Sequence, residues 1–295
     1  MATCWWSTAA SRPRCERVDA VHGIDAADAQ RGASVIGGEP ASAVVVGASG
    51  GLGAAFVDAL LERGAFATVV ALSRSGGGAD GTRSVGDGNG SEGVGASRAR
   101  LVHGSLDLTD EPSIARAAAG LQGLPPTRLV IVATGLLHGP DGLRPEKTLA
   151  SLDPARLAQL FAVNATGPAL VAKHFLPRMP RQGRAVFAAL SARVGSIGDN
   201  RLGGWYGYRA SKAALNMLLR TTAIEWARGA KESVCIGLHP GTVDTALSAP
   251  FQSGVADGRL FTPAHSARCL LDVIGQRTPA DSGRVFAWDG SEVPA

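Results

Sequence analysis

Phenol side chains are few in this chain, which holds only two tyrosines, Tyr206 and Tyr208. Both stand in one stretch, Trp205 to Arg220 (WYGYRASKAALNMLLR), with one of only four lysines, Lys212. Tyr208 and Lys212 are four residues apart, so on a helix they share a face with Cβ atoms about 6 Å apart. A cation beside a phenol favours phenolate and lowers a pKa that is ordinarily ~10. Such a phenol can give its proton to a carbonyl oxygen as hydride arrives at the carbon. Tyr206 precedes Lys212 by six residues, makes no such pair, and is expected to shape the pocket entrance beside Trp205. An aromatic packed at a helix start beside a snorkelling lysine would show the same spacing, so the pair needs a second signal.

That signal is the run GASGGLG, residues 47–53. It follows a short β-branched stretch, Ser42 to Val46, and precedes helical apolar spacing over Ala54 to Glu62, with Gly64 as the C-cap. A glycine turn there lets backbone approach a pyrophosphate, whose charge then sits at the helix N-terminus. Gly47, Ser49, Gly51, Leu52 and Gly53 are therefore the candidate dinucleotide contacts, although their spacing differs from GxGxxG. The second strand ends ALSRS, with Ser73 and Arg74 and no carboxylate. An acid at that point would bind the ribose 2′-hydroxyl of NAD and repel a 2′-phosphate, whereas a guanidinium fits a phosphate bidentately. NADP(H) is expected in preference to NAD(H).

The elements that must position these groups alternate. Strands are expected at FATVVALSR, ARLVHGSLDL, RLVIVATG, GRAVFAALS, ESVCIGLHPG and GRVFAWDG. Helices are expected at DEPSIARAAAG (Asp110 as N-cap, Pro112 in the first turn), over Pro154 to Met179, Tyr208 to Trp226 and Pro263 to Ile274. Continuously apolar strands alternating with helices imply an α/β, doubly wound, mostly parallel sheet in a single Rossmann-type domain. Residues 1–40 read as a disordered extension and 41–295 as the domain. Within it, Ser75 to Arg100 carries nine glycines and reads as a flexible insertion.

With GASGGLG, SLDLTD, FAVNATGPAL, YRASK and HPGTVDT in that order, the chain resembles a short-chain dehydrogenase/reductase over about residues 41 to 290. The phrasing GSIGDN…GGWYGYRASKAALNM is most similar to its C-factor-like and sniffer-like carbonyl reductase branch. The resemblance implies Tyr208 as general acid/base and Lys212 as holder of the nicotinamide ribose that lowers the tyrosine pKa. It implies Asn164 as holder of a relay water, Asp107 at the adenine, Gly135 and Thr242 beside the cofactor. Three departures stand out. The family's Asn-Asn-Ala-Gly reads Val132-Ala133-Thr134-Gly135, the threonine before the glycine turn is Val46, and Ala192 stands where the substrate-orienting serine does. Neighbours on a strand face opposite ways, so Ser191 takes that part only if the strand ends or twists there; Ser196 is the fallback.

The resemblance implies an NADP(H)-dependent reductase of a ketone, aldehyde or quinone. The displaced serine leaves a second reading, a C-factor-like cofactor-binding signalling protein with little turnover. The loop after Pro240, with Leu247, Phe251, Leu260 and Phe261, is expected to wall an apolar pocket. The helix from Ala210 is apolar nearly all round, which points to a homodimer or homotetramer interface. A net charge of +4 from scattered arginines gives no nucleic-acid surface. Cys4, Cys15, Cys235 and Cys269 lack metal-ligand spacing, so no metal is expected. No run approaches the ~20 apolar residues of a membrane span, and the start lacks the pattern of a secretory signal. A cytoplasmic place is expected.

Overall fold

Runs of β-branched and apolar residues flanked by amphipathic helices bury as central strands. A computed structural model describes residues 39–76 and 99–295. The readings made for 1–40 and 75–100 therefore lie almost wholly outside the described residues. β1 (Ser42–Val46) and β2 (Thr68–Ser73) are buried at every position, as are β5 (Val186–Leu190) and β6 (Val234–His239). β4 (Thr127–Val132) is nearly so, whereas β3 (Arg100–Ser105) alternates in exposure because it stands at the edge. With β9 (Val285–Ala287) and β10 (Glu292–Val293) they form one sheet in the order β10-β9-β6-β5-β4-β1-β2-β3. Every pairing in it is parallel except β9 with β10.

Alternation along the strands decides which helices cover which face. Val45, Ile131, Ala188 and Leu238 point to α1 (Gly51–Arg63) and α6 (Pro263–Gln276), meeting Phe56, Leu60, Leu270 and Ile274. Val44, Val130, Phe187 and Cys235 point the other way. They meet α2 (Glu111–Ala119), α4 (Gly167–Phe175) and α5 (Tyr206–Trp226) through Ile114, Phe175, Leu215 and Leu219. Strand order reverses at β1, between β2 and β4. A doubly wound sheet opens its binding crevice there, outside the carboxyl ends of the strands. The expected architecture is the observed one.

Several boundaries move. α1 begins at Gly51, inside the glycine turn, and ends at Gly64 in the left-handed region as expected. The continuous helix expected over Pro154 to Met179 is α3 (Pro154–Phe161), a π turn (Ala162–Thr166), α4, and a 3₁₀ turn (Leu176–Arg178). Asp110 precedes α2 without a side-chain cap; its carboxylate instead meets Arg116 at 3.4 Å. α5 starts at Tyr206, two residues before the expected Tyr208. A second, two-stranded pairing joins β7 (Thr242–Val243) to β8 (Leu260–Phe261), which the sequence did not signal.

Candidate active site

The glycine turn is a surface that side chains would destroy. Gly47 has φ of +87°, and a Cβ on it would lie 2.6 Å from Thr134 Cγ2. A Cβ on Gly53 would fall 2.0 Å from the Gly47 carbonyl oxygen. The turn is pinned from below, where the Gly47 and Ala48 N–H groups both donate to the Leu72 carbonyl at 2.8 and 3.0 Å. Gly50 caps α1 with no side chain, and no acidic residue enters the first turn, so the helix presents bare backbone donors to an anion. Thr134 Oγ1 is buried without a hydrogen-bond partner, its methyl group beside that turn. A glycine cradle, an uncapped helix N-terminus and an orphaned hydroxyl fit a nicotinamide dinucleotide.

Ser49 and Gly51 are exposed on the turn, and Leu52 is buried beneath it. Arg74 is exposed just past the end of β2, and its charge contributes to holding Asp107 ionised. Asp107 Oδ1 accepts from the Thr109 N–H at 2.8 Å and the Thr109 hydroxyl at 2.7 Å. Those bonds, led by the backbone one, keep its pKa below the usual range.

Lys212 and Tyr208 come together as the four-residue spacing requires. Both lie on the buried face of α5 with Ser211, Leu215, Leu219 and Ala223. Lys212 is 2% exposed, its Nζ donates to the Leu190 carbonyl at 2.8 Å, and it stands 5.8 Å from the centre of the Tyr208 ring. Asn164, fully buried in the π turn, clamps the loop after β4 to α5. Its Oδ1 accepts from the Leu136 N–H at 2.7 Å, and its Nδ2 donates to the Leu136 carbonyl at 2.8 Å and Ser211 Oγ at 3.1 Å. Ser211 in turn donates to the Tyr208 carbonyl at 2.8 Å. Gly135 completes the cluster, its Cβ direction passing 3.9 Å from both Asn164 Oδ1 and Lys212 Nζ.

Ser191 is joined to a different partner. β5 ends at Leu190, and the buried Ser191 hydroxyl donates to Asn216 Oδ1 at 2.6 Å. Ala192 continues in extended conformation before a 3₁₀ turn at Arg193–Gly195. Ser196 donates to the Ala295 carbonyl at 3.4 Å and accepts from the Asp199 N–H at 3.0 Å. Thr242 lies in β7, opposite Leu260.

Burial overrides the expected electrostatics of the pair. The expectation was a Tyr208 pKa lowered by Lys212; burial instead pushes the phenol up to about 12. The same desolvation pulls the Lys212 ammonium down to about 7, because a dry site penalises whichever form is charged. Tyr208 therefore keeps its proton at neutral pH, which suits a donor.

Rings gather above the tyrosine. Trp205 meets Tyr208 edge-on with centroids 6.2 Å apart, and Phe251 at 5.1 Å. Phe251 meets His138 at 5.8 Å, and His138 Nε2 lies 3.1 Å from the Ala246 carbonyl oxygen. Of the four apolar residues expected in the loop after Pro240, two approach this region, Phe251 and Leu247, whose Cδ2 is 4.0 Å from the Gly135 Cβ direction. Phe261 packs on Trp288 instead, and Leu260 is 39% exposed. Tyr206 is turned outward at 37% exposure, so Trp205, not Tyr206, is the aromatic that reaches Tyr208.

Residues 41–256 match the family described as short chain dehydrogenase. The chain belongs to it. The C-signal of Myxococcus xanthus is 38% identical over 146 residues, covering 50% of this chain and 82% of that protein. The structure of an NADPH-bound carbonyl reductase from chicken fatty liver superposes with a TM-score of 0.68 at 26% identity, covering 87% of this chain and all of that one. The carbonyl reductase Sniffer of D. melanogaster, 18% identical, shares the fold with a TM-score of 0.67 over 87% of this chain and 99% of its own. As a short-chain dehydrogenase the protein is an NAD(P)-dependent oxidoreductase.

One residue of this short-chain dehydrogenase escaped the sequence reading altogether. Glu146 is 5% exposed; its Oε2 accepts from the Gly207 N–H at 3.1 Å and its carbonyl from the Trp205 N–H at 2.5 Å. It thereby fixes the first turn of α5 at both backbone and side chain, a favourable place for a carboxylate at a helix N-terminus. Trp205 enters that turn with φ of +52°, and among the described residues no other non-glycine has a positive φ. Such a conformation costs a bulky residue on the order of 1–2 kcal/mol. The signal was one acid in an otherwise unremarkable loop, too common to single out.

Proposed function

We propose that the protein is an NADP(H)-dependent reductase that converts a ketone, aldehyde or quinone to an alcohol, with Tyr208 as general acid/base. The observation that carries this reading is the buried Tyr208–Lys212 pair, with Gly135 beside Lys212 and its neighbour Thr134 against the glycine turn. The bound cofactor would supply hydride to the carbonyl carbon. Tyr208 would give its proton to the carbonyl oxygen and regain one from solvent. Lys212, anchored on the Leu190 carbonyl, would orient the nicotinamide ribose. Asn164 has one lone pair left on Oδ1 for a relay water, and Ser191 would serve as a second donor to the carbonyl oxygen once it releases Asn216.

Gly47, Ser49, Gly51, Leu52, Gly53, Asp107, Gly135 and Thr242 are proposed to line the dinucleotide. Arg74 would meet the 2′-phosphate, and this supports NADP(H): no carboxylate ends β2, and the guanidinium is exposed there. Arg74→Glu should invert the preference, weakening NADPH and improving NADH by tenfold or more, the scale of a charge-assisted contact. Calorimetric titration of both dinucleotides checks it. The same instrument reports whether NADPH binds at all.

A screen of NADPH oxidation against varied carbonyls tests the reaction. Turnover that survives in Tyr208→Phe would refute the assignment of the proton donor. The second reading, a cofactor-binding signalling protein with little turnover, is favoured by Ala192 and by the commitment of Ser191 to Asn216; tight NADPH binding with no carbonyl consumed would support it. A homodimer or homotetramer is proposed from Met217 (66% exposed), Leu218 and Ile224 (52%) on the outer face of α5. Sedimentation showing a monomer would overturn it. Among the described residues no helix is long and apolar enough to cross a membrane; a cytoplasmic place is proposed, and fractionation tests it.

A further inference from the structure

We propose that Trp205 is a specificity-determining residue, and that the aromatic wall it anchors selects carbonyl compounds bearing a flat aromatic ring system over small aliphatic ones. This rests on the reading of Tyr208 as the reacting group.

The wall is assembled from three separate segments: His138 from the loop after β4, Trp205 from the turn into α5, and Phe251 from a 3₁₀ turn (Ala249–Gly254) between β7 and β8. Its last member is the reacting tyrosine itself, met edge-on by Trp205. Successive rings stand at 65°, 58° and 75° to one another. The wall so offers faces and edges together, the two geometries in which aromatic guests bind best. A substrate whose carbonyl reaches Tyr208 must bring the rest of its body alongside these rings.

The path of the turn is set by its backbone. The two residues before it, Gly203 and Gly204, have φ of +64° and +65°, and Trp205 continues the same left-handed turn at +52°. Glycine would adopt that conformation without penalty. What fixes the turn is Glu146, whose carbonyl and carboxylate take the backbone N–H groups of Trp205 and Gly207. Neither bond involves the indole. A bulky ring held against its backbone preference, directly beside the reacting group, points to recognition of a ligand.

Because the turn is held through backbone, Trp205→Gly removes the ring while leaving its anchor. With NADPH, the wild type should reduce 2-acetylnaphthalene with a higher kcat/KM than 2-pentanone. In Trp205→Gly the ratio between the two should fall about tenfold, the scale of one or two aromatic contacts, carried by KM for the naphthyl ketone. Trp205→Phe should recover most of it. A wild type without the aromatic preference, or a variant in which both substrates fall together, would overturn the proposal. A binding arm allows no turnover, because ketone and NADP⁺ have no hydride to exchange: 2-acetylnaphthalene titrated calorimetrically into the NADP⁺-saturated protein should bind about tenfold more tightly to wild type than to Trp205→Gly. Equal affinities sink the wall whatever the enzyme does. Turnover retained by Tyr208→Phe alongside unequal affinities sinks the catalytic reading alone.

Discussion

The two halves of the crevice are built on opposite principles. At the β1–α1 end the site consists of backbone, and its room for the proposed anion comes from atoms that are missing. At the α5 end it consists of side chains gathered from the loop after β4, the π turn, α5 and its approach, and the segment between β7 and β8. The first kind of site is rigid because neighbouring main chains touch; the Gly53 Cβ direction ends 2.0 Å from the Gly47 carbonyl oxygen. The second is rigid because hydrogen bonds run in series, from Leu136 through Asn164 and Ser211 to Tyr208. A backbone site fails when an atom is added, and a side-chain site fails when one is removed.

That contrast can be broken by experiment. Tyr208→Phe deletes one oxygen from the side-chain half and should lower kcat by about 10²–10⁴, with NADPH affinity within about twofold by titration. Gly53→Ala adds one carbon to the backbone half; it should cost about 1–3 kcal/mol of stability in urea melts and weaken NADPH with it. If Gly53→Ala bound normally, the turn would be looser than its geometry states. His239, at the carboxyl end of β6, offers a test of burial itself. Its pKa is pulled from 6.5 down to about 4, chiefly by desolvation, and Nδ1 has no partner.

The folded protein refuses a proton that the unfolded chain accepts below pH 6.5, so stability falls as pH drops through 6.5 to 4. The loss should approach roughly 3 kcal/mol at 1.4 kcal/mol per unit, and His239→Gln should flatten the profile of melting temperature against pH. The smallest effect concerns the displaced serine. Ser191→Ala should reduce kcat about tenfold, and adding Ala192→Ser should restore it, because a single hydroxyl hydrogen bond contributes on the order of 1 kcal/mol. A wild-type rate in Ser191→Ala would exclude that hydroxyl from the reaction.

The backbone half was legible in the sequence because glycine has few other reasons to recur at such spacing between a buried strand and a helix. The Tyr208–Lys212 pair was legible for a similar reason: a four-residue period converts directly into one helix face. Their electrostatics were not, since a spacing says how near two groups lie but not how dry they are; burial reversed the expected shift of Tyr208. Nor could the wall be read out. His138 and Phe251 are 113 residues apart, and their meeting depends on how two loops fold back over the sheet. Trp205 looked like a neighbour of Tyr206, while its left-handed backbone aims it at Tyr208. Glu146 acts through a main-chain carbonyl as much as its carboxylate, and no residue type advertises that.

The π turn at Ala162–Thr166 has a consequence for how this chain can change. A π turn holds one residue more than the α-helical path it interrupts. Removing a single residue there would put α3 and α4 on one helical path, regular except at Pro168, which has no N–H to donate. Asn164 would rotate by about a quarter-turn, since successive helical residues stand about 100° apart, and Leu136 and Ser211 would lose their common partner. Evolution could straighten the rod at that point only by giving up the hinge pin between two walls of the crevice. One-residue deletions in this segment should thus produce proteins that are well folded and idle.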